Sequence, residues 1–463
     1  MQQEITKNQT IEKYLNKTEF NGIKIGSLIA QSFALNFINK GLHQNLIVNL
    51  LVLLKYIITL WNNKKTEQYH ADFLFTKLDN RFHFNELMDP LISHYRNNSI
   101  VLYDNNSFDH NKFNIQDIND KTILFTQTIS NTKKDSLKIL RVIFSVSYLL
   151  LRNKKKLKLT YHEVLYYINN LLIQLRRTSF WNHYFTIAEY KPLCVVTEFD
   201  RFLTATPLIL AARKHNIQTI TLIHGVLEDY SFTPFLADYI FCWGEGQKSQ
   251  LISKGVDPKR IFITGNPMFK DHRSNKYSEE STKNLCLCLA ISPGFDNSSL
   301  IEPFASALNS VENVHGILKL HPSLKKEDFK WIEALSSKIE ILTSKDILNS
   351  DMFQKIDLLI IHDSGIANEA LDAGVPVTVL MSNSSQQLNN FQIELIKLAG
   401  CRLVTNEQDL ANNFIELASN PIQFRLNAEK MGEKYLKMLY DTTGKDSVKA
   451  MISQIDKISE QRY

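Results

Sequence analysis

The chain has 463 residues, of which 44% are hydrophobic and 22% are charged, and its formal net charge is +5 at pH 7. This composition is that of a globular protein, and the length is too great for one ordinary hydrophobic core, so two domains are expected. The small net charge, together with the lack of zinc-finger spacing and of an aromatic RNA-binding pattern, excludes nucleic acid as an expected partner. Five scattered cysteines are expected to be reduced core thiols of a cytoplasmic protein.

The N-terminal part begins with polar residues and contains two apolar segments. The first ten residues lack the basic start and apolar run of a secretory signal, so export is not expected. The segment from Asn45 to Trp61 includes Asn49 and Lys55 and falls short of the roughly 20 apolar residues of a membrane span, which predicts a buried helix. The segment from Ile139 to Leu151 is shorter, and a basic run follows at Arg152 to Leu159. An apolar segment followed directly by a basic run indicates one of two things. It is either a solvated basic face or a surface in peripheral contact with the anionic inner face of the cytoplasmic membrane.

Strands are predicted at Ser99 to Tyr103 and at Thr122 to Thr126, and a helix is predicted at Tyr161 to Tyr184. From residue 191 onward, helical stretches separate short apolar runs, namely LCVV, TITLI, DYIFCW and RIFIT. This alternation is typical of right-handed βαβ units and a parallel sheet. We therefore predict a Rossmann-like domain over residues 1–270.

Residues 271–283 are polar and charged and lack an apolar period, which predicts a linker. A second series of apolar runs then predicts a second parallel sheet, with the runs NLCLCLAIS, GILKL, IEILT, IDLLII, VPVTVL and CRLVT. We assign this Rossmann-like domain to residues 284–440 and expect a C-terminal helix at 441–463 to pack back toward the first domain. The predicted fold class is α/β, with two doubly wound domains facing a central cleft where ligands usually bind.

The stretch from Ile356 to Leu380 predicts a strand, a polar turn, a helix that ends at Gly374, and another strand. Ser364 and Gly365 occupy the turn, where backbone N–H groups and the positive end of the helix dipole favour a phosphate. The alternative is that Ser364 only caps the helix, and the sequence does not separate the two. Glu369 lies in the following helix, either within reach of a sugar hydroxyl or as a complement to the dipole.

Polar residues also follow the first two runs of the second domain. Ser292 and Gly294 come after LCLAI, and His321 and Pro322 come after GILKL. Pro322 fixes the turn and favours an extended His321 whose imidazole points outward. A histidine after a strand is nevertheless more often a structural residue than a ligand contact.

The first domain has its own polar strand ends. Glu198 and Asp200 follow LCVV, and they lie on one face if the strand extends that far. Either is a candidate general base, and either can instead cap the next helix. No further acid or histidine with ligand spacing stands nearby, so metal-free chemistry is favoured. For His224 and Gly225, which follow TITLI, a functional role and a structural turn are about equally supported.

Several short motifs along the chain are similar to those of a known enzyme class. They are FNGIKIGSLI at Phe20 to Ile29, the acidic strand end at Glu198 to Asp200, IHG at Ile223 to Gly225, GNP at Gly265 to Pro267, KLHPS at Lys319 to Ser323 and DSGIANEALDAGVPV at Asp363 to Val377. On these motifs the chain resembles GT-B glycosyltransferases of bacterial surface-polysaccharide synthesis, such as capsule sialyl- and Kdo-transferases and their teichoic relatives.

The resemblance implies that His321 and Ser364 contact the donor phosphate, that Glu369 contacts the ribose, and that Glu198 or Asp200 is the base. The chain departs from the pattern at two positions. Several relatives have Gln in place of Ile223, and polysialyltransferase-like proteins have Ser in place of Asp363. The second departure puts an acid beside the predicted phosphate site, which leaves the identity of the donor open.

We therefore predict a cytoplasmic, metal-independent, inverting GT-B glycosyltransferase without a cofactor. Its substrates would be a CMP-, UDP- or GDP-linked sugar donor and a glycan or lipid-linked acceptor. The predicted catalytic residues are Glu198, Asp200 and His224, and the predicted donor-binding residues are Ser292, Gly294, His321, Pro322, Ser364, Gly365 and Glu369. The alternatives are a nucleotide-sugar epimerase of the same fold, a CDP-glycerol-type phosphotransferase, and a non-catalytic subunit of glycan assembly that docks through the basic run.

Overall fold

The computed structural model describes residues 10–28, 54, 70–77, 82–103, 122–124, 133–200, 205–225, 227, 235–268, 284–292, 297–322, 324–343, 346–347, 349–381 and 388–461. The chain divides into two compact units. Unit 1 comprises Met1–Trp243, Gln247–Met268 and Lys445–Tyr463, and unit 2 comprises Gly244–Gly246 and Phe269–Gly444. The predicted linker at 271–283 and, apart from residue 54, the apolar segment from Asn45 to Trp61 lie outside the described residues.

The strands are short and the helices are longer, as is usual in α/β proteins. The strands are β1 (Glu19–Phe20), β2 (Ile23–Lys24), β3 (Phe73–Lys77), β4 (Ser99–Tyr103), β5 (Thr122–Leu124), β6 (Cys194–Thr197), β7 (Gln218–Leu222), β8 (Tyr239–Cys242), β9 (Ile261–Ile263), β10 (Leu285–Ile291), β11 (Val314–Leu320), β12 (Ile339–Leu342), β13 (Leu358–Ile361), β14 (Val377–Leu380) and β15 (Arg402–Val404). The α-helices are α1 (Phe82–His94), α2 (Lys133–Arg152), α3 (Tyr161–Ile187), α4 (Ala205–Lys214), α5 (Glu245–Ser253), α6 (Ser298–Ser310), α7 (Asn349–Phe353), α8 (Ile366–Asp372), α9 (Asn390–Lys397), α10 (Glu407–Ser419), α11 (Pro421–Leu439) and α12 (Gly444–Glu460). Short 3-10 helices lie at Arg96–Asn98, Pro258–Arg260 and Lys326–Ala334.

Unit 1 is built on a parallel sheet with the order β5-β4-β3-β6-β7-β8-β9. Strands are added outward from β3 in one direction and then, from β6 onward, in the other. The reversal between β3 and β6 is the type of position at which doubly wound sheets bind ligands. A separate antiparallel pair, β1 with β2, lies outside this sheet.

The helices of unit 1 bury the sheet and one another. The helix α3 starts with a capping box in which Thr160 and Glu163 satisfy each other's backbone N–H groups. Its first half packs against α2, and its second half packs Trp181 and Tyr184 into the core that contains strands β3, β4 and β6. The helix α12 adds Met451, Ile455 and Ile458 to the core beneath β3 and β7.

Unit 2 is built on a parallel sheet with the order β12-β11-β10-β13-β14-β15. All seven residues of β10 are buried, as expected for a central strand with helices on both faces. The helices α6 and α10 cover one face, where Phe304 and Phe414 meet edge to face. Beneath the sheet, Arg425 of α11 pairs with the buried carboxylate of Asp357, whose second oxygen accepts from the N–H of Cys286 at 2.8 Å.

The structure confirms each strand predicted from residue 191 onward, and it confirms β4 and the helix α3. The prediction at Thr122 to Thr126 is confirmed over Thr122–Leu124, and its last two residues lie outside the described residues. Gly374 follows α8 with a φ of +72°, which confirms the predicted helix end. The strand β3 was not predicted. None of the described helices is long and apolar enough to cross a membrane.

Candidate functional site

In unit 2, two polar turns meet where the strand order reverses. Ser292 follows β10, and Asp363, Ser364 and Gly365 follow the neighbouring strand β13. The hydroxyl of Ser292 donates to the backbone carbonyl of Asp363 at 3.1 Å, which ties the two turns together. The structure therefore brings Ser292 and Ser364 onto adjacent turns at a ligand-binding position of this fold. Gly294 lies outside the described residues.

The turn before α8 is not closed by a side chain. Gly365 occupies the cap position with a φ of −61°, and no side-chain hydrogen bond caps the helix there. Capping was the alternative role for Ser364, so this geometry does not support it. The first hydrogen bonds of the turn run from Ala367 to the carbonyl of Ser364 and from Asn368 to the carbonyl of Gly365. The N–H groups that precede them have no partner within the helix, as at any helix start.

The side chain of Asp363 is hydrogen-bonded within unit 2. Its Oδ2 accepts from Asn389 Nδ2 at 2.8 Å, and Asn389 also starts α9 in a capping box with Gln392. The Gln392 amide in turn donates to the carbonyl of His362 at 2.6 Å. Burial raises the pKa of the Asp363 carboxyl, although the bond from Asn389 opposes this shift. The bond from Asn389 also engages one oxygen of this acid, which precedes Ser364 in the turn.

His321 and Pro322 follow β11 on the other side of β10. Because Ile291 is paired with Leu320 in the sheet, Ser292 and His321 occupy equivalent positions after neighbouring strands. His321 is half-buried and Pro322 is exposed. The N–H of Leu324 donates to the carbonyl of His321 at 2.9 Å, which closes a tight turn.

Two residues beneath these turns were missed in the sequence. Asn349 of α7 donates to Glu369 Oε2 at 2.9 Å and so orients the acid that was predicted to contact the ligand. Lys319 of β11 is almost fully buried, and its ammonium donates to the carbonyls of Thr343 at 3.1 Å and Ile347 at 2.9 Å. Burial lowers the pKa of Lys319, with Glu369 among the charges that oppose the shift. Lys319 belongs to the KLHPS motif, and this motif is the feature of the sequence that could have identified it.

In unit 1, Glu198 and Asp200 follow β6. The strand ends at Thr197, so the condition under which the two acids would share a strand face is not met. Both side chains are 0% exposed. Asp200 Oδ2 accepts from the N–H of Leu236 at 2.6 Å, and its carbonyl accepts from Thr206 Oγ1 at 3.0 Å. The Asp200 carboxylate therefore fastens the chain before β8 to the end of β6.

His224 follows β7 and reaches back to β6. Its Nδ1 lies 2.6 Å from the carbonyl oxygen of Glu198, and its ring meets Phe199 edge-on with centroids 5.5 Å apart. Because a carbonyl can only accept, Nδ1 carries the proton, and Nε2 of a neutral ring is then a proton acceptor. A half-buried imidazole with a fixed tautomer is suited to proton transfer.

The IHG turn that carries His224 is held by two residues that follow β8, namely Trp243 and, in α5, Gln247. The Trp243 indole N–H donates to the carbonyl of Ile223 at 2.9 Å, and the Gln247 amide donates to the carbonyl of Gly225 at 3.2 Å. Gly225 has no positive φ, so a sharp turn does not require glycine there. A Cβ at Gly225 would meet none of the atoms of the described residues within 4 Å. In the described part of the chain, no three His, Cys, Asp or Glu side chains are grouped so that they could hold a metal ion.

Comparisons with known proteins agree on the fold. No protein-family model matches the chain. A UDP-N-acetylglucosamine 2-epimerase of Methanocaldococcus jannaschii is 24% identical over 242 residues, which is 47% of this chain and 63% of that protein. The crystal structure of a UDP-N-acetylglucosamine 2-epimerase matches with a TM-score of 0.50 and 16% identity, over 84% of this chain and 96% of that one. HepE of Anabaena in complex with UDP-glucose matches with a TM-score of 0.50 and 13% identity, over 84% of this chain and 100% of that one.

These findings confirm the GT-B type of fold, with two Rossmann-like α/β units. They also contradict the predicted glycosyltransferase, because the relative matched by sequence is a 2-epimerase. The prediction of sugar transfer to a glycan or lipid-linked acceptor is therefore wrong. The narrower resemblance to capsule sialyl- and Kdo-transferases has no support in the comparisons. The error arose because one fold serves both classes of enzyme, so the fold does not decide between them.

Proposed function

We propose that this chain is a nucleotide-sugar epimerase that inverts C2 of a UDP-linked N-acetylhexosamine. The observation that carries the proposal is the 24% identity over 242 residues to a UDP-N-acetylglucosamine 2-epimerase. The chain covers 63% of the length of that relative, so the activity and substrate of the whole protein are proposals. The bound UDP-glucose in a protein of the same fold supports a uridine diphosphate in preference to the other nucleotides considered.

The nucleotide is assigned to unit 2, at the turns after β10, β11 and β13. In the proposal, the N–H groups at Ser364 and Gly365 and the Ser364 hydroxyl bind the diphosphate, because they are donors at a helix start. His321 donates to the same phosphates from the turn after β11. Glu369, held by Asn349 at 2.9 Å, accepts from a ribose hydroxyl. The hydrogen bond from Asn389 to Asp363 supports this arrangement, because the Asp363 oxygen that accepts it does not compete with the phosphate for the donors of the turn.

Epimerisation at a carbon atom breaks one C–H bond and forms another on the opposite face, with no net oxidation. It requires a base that removes the C2 proton and an acid that returns one to the opposite face. Because C2 is not next to a carbonyl group, the electron pair of the broken C–H bond forms a C1–C2 double bond while the C1–O bond to UDP breaks. Return of UDP to C1 with protonation of C2 then re-forms both bonds, so no electrons are gained or lost. In unit 1 we assign these proton transfers to Glu198 and His224, because each lies at the carboxyl end of a central strand. The backbone bond of Asp200 to Leu236 favours a structural role for this second acid.

The proposal keeps the cytoplasm as the compartment and requires neither a metal nor a cofactor. Each of the five cysteines is a buried free thiol, which fits a reducing compartment. Proton transfer between fixed side chains needs no redox group, and the nucleotide is part of the substrate.

The test is to incubate the purified full chain with UDP-N-acetylglucosamine in D₂O without any acceptor and to follow the sugar by proton NMR. The expected result is loss of the C2 proton signal as deuterium enters from the solvent, together with the signals of the C2 epimer. Release of UDP that depends on an added glycan acceptor, with no change at C2, would contradict the proposal.

Nucleotide binding is tested separately by thermal unfolding with UDP, CDP, GDP and CMP. A ligand that binds only the native state raises the unfolding temperature in proportion to the logarithm of its concentration over its Kd. We expect stabilisation by UDP and much less by the other three. Stabilisation by CDP alone would point to the phosphotransferase alternative, and stabilisation by none of the four would point to the non-catalytic subunit.

A further inference from the structure

The helix α2 has two apolar stripes, of which one is buried against α3 and the other is exposed. Its inner stripe is buried against α3 and consists of Ile139, Ile143, Val146 and Leu150. Its outer stripe consists of Leu137, Phe144, Tyr148 and Leu151, whose exposed fractions lie between 49% and 71%. Spacings of three, four and seven residues put these four side chains on one face. We call this surface the outer face of α2. It runs for about 20 Å, because each residue of a helix rises 1.5 Å.

The positive charge of the chain is concentrated beside this face. The segment from Lys133 to Lys158 contains a single acid, Asp135, and nine cations, namely Lys133, Lys134, Lys138, Arg141, Arg152, Lys154, Lys155, Lys156 and Lys158. The segment therefore has a formal charge of +8 and the whole chain only +5, so the rest of the chain is net negative. A solvated basic face does not account for the row of large apolar side chains between these cations.

Aromatic rings continue the surface at its basic end. The guanidinium of Arg152 lies 5.9 Å from the centre of the Tyr148 ring. The ammonium of Lys154 lies 3.3 Å from the centre of the Tyr161 ring, and Tyr161 is itself exposed. Tyrosines with adjacent cations are typical of surfaces that lie at the level of lipid head groups, where one end of the ring is apolar and the other is wet.

We propose that the outer face of α2 binds the surface of a bilayer that contains anionic lipids. The helix would lie in the plane of the interface, with Phe144 and Leu151 among the acyl chains and the flanking cations on lipid phosphates. Charge decides between this occupant and a second copy of the chain, because a symmetric dimer through α2 would bring two segments of +8 together. This inference is independent of the proposed epimerase activity.

The test is co-flotation of the purified full chain with vesicles. We expect binding to vesicles of phosphatidylcholine with roughly 30% phosphatidylglycerol, at least about tenfold weaker binding to pure phosphatidylcholine, and loss of binding at high salt. The double substitution Phe144→Glu with Leu151→Glu should abolish binding. Lys155→Gln with Lys156→Gln should weaken it about tenfold or more. All four side chains are exposed, so the unfolding temperature should not change.

A matched control is available in unit 2, where Ile422 and Leu426 of α11 are 56% and 53% exposed without a basic cluster of this kind. Ile422→Glu with Leu426→Glu should leave vesicle binding unchanged. Three outcomes would overturn the proposal: no binding to anionic vesicles, equal binding to both vesicle types, or binding that the α2 substitutions and the control affect equally. Sedimentation as a dimer that Phe144→Glu with Leu151→Glu dissociates, without vesicle binding, would assign the face to self-association instead.

Discussion

The two sheets share the order of their first six strands, and they differ in the turns that leave the strands where that order reverses. In unit 2, the turn after β13 is an uncapped helix start in which the acid, Asp363, is bound by Asn389. In unit 1, the turn after β6 carries two fully buried acids, and Asp200 accepts from the backbone of the chain before β8. The first turn leaves backbone donors for a ligand, and the second uses a carboxylate to hold the protein together.

The difference shows that position after a strand does not by itself determine the role of a polar residue. Ser364 and Asp200 both follow parallel strands next to the reversal, and both are candidate site residues in the sequence. Their hydrogen bonds separate them, because no side-chain bond caps the turn at Ser364 and Asp200 is bound to two backbone N–H groups. Substitutions at these positions therefore test whether the two turns have different roles.

The largest effect is expected for Glu198→Gln in unit 1. If Glu198 transfers a proton in the epimerisation, the amide cannot replace it, and turnover should fall about a hundredfold to ten-thousandfold. UDP affinity should be unchanged, because the nucleotide is assigned to unit 2. Turnover is measured by the NMR assay of C2 exchange, and affinity by thermal stabilisation. Retention of full turnover in this variant would remove Glu198 from the mechanism and leave His224 as the candidate.

The next effect is a loss of stability in Asp200→Ala. The substitution leaves the buried N–H groups of Leu236 and Ala237 without their carboxylate partner, which should lower the free energy of unfolding by about 2–4 kcal/mol. Thermal unfolding would show a decrease of several degrees. Asp200→Asn keeps an acceptor oxygen and should lose less. An unchanged unfolding temperature together with lost turnover would make Asp200 a catalytic residue and contradict its structural role.

A smaller effect is expected for Ser364→Ala in unit 2. Loss of one hydroxyl donor to a phosphate should weaken UDP binding about tenfold to a hundredfold, since hydrogen bonds to charged groups contribute about 1.5–3 kcal/mol. Ser292→Ala is the matched control, because the Ser292 hydroxyl already donates to the carbonyl of Asp363. Its effect on UDP affinity should be less than that of Ser364→Ala. Equal losses in the two variants would mean that the hydroxyl of Ser364 does not bind phosphate directly.

The sequence was sufficient for most of the fold, because ten strands from β6 to β15 are apolar runs separated by helical patterns. It was insufficient for β3, whose five residues, FLFTK, are too short a run to be told from any other buried segment. It also left open whether Glu198 and Asp200 share a strand face, because the end of β6 at Thr197 is not marked by glycine or proline. Strand existence follows from local pattern, whereas strand ends depend on neighbours in the sheet.

The candidate site was predictable in its residues but not in their partners. Ser364 and Glu369 lie in a motif that reads locally as strand, turn and helix. Their supporting side chains come from elsewhere in the chain, since Asn349 reaches Glu369 from 20 residues earlier and Asn389 reaches Asp363 from 26 residues later. Such contacts form only in the folded sheet. The choice between epimerase and transferase likewise did not follow from the strand, turn and helix around Ser364.

The smallest effect concerns the pH dependence of Asp363. Burial raises the pKa of this carboxyl in the folded protein above its value in the unfolded chain, so the folded state binds the proton more tightly. Between those two pKa values stability decreases as pH rises, and above the folded pKa the ionised carboxylate carries the full cost of its burial.

Asp363→Asn keeps an acceptor for Asn389 and removes the charge. The variant should therefore be more stable than the wild type at neutral pH, by less than about 1 kcal/mol, and the difference should vanish as the pH falls below the unfolded pKa. Unfolding temperatures measured from pH 7 downward, in steps of about one unit, would check this. A variant less stable than the wild type at pH 7 would show that the charge of Asp363 stabilises its turn. Asp363 would then have the same stabilising role as Asp200 in unit 1.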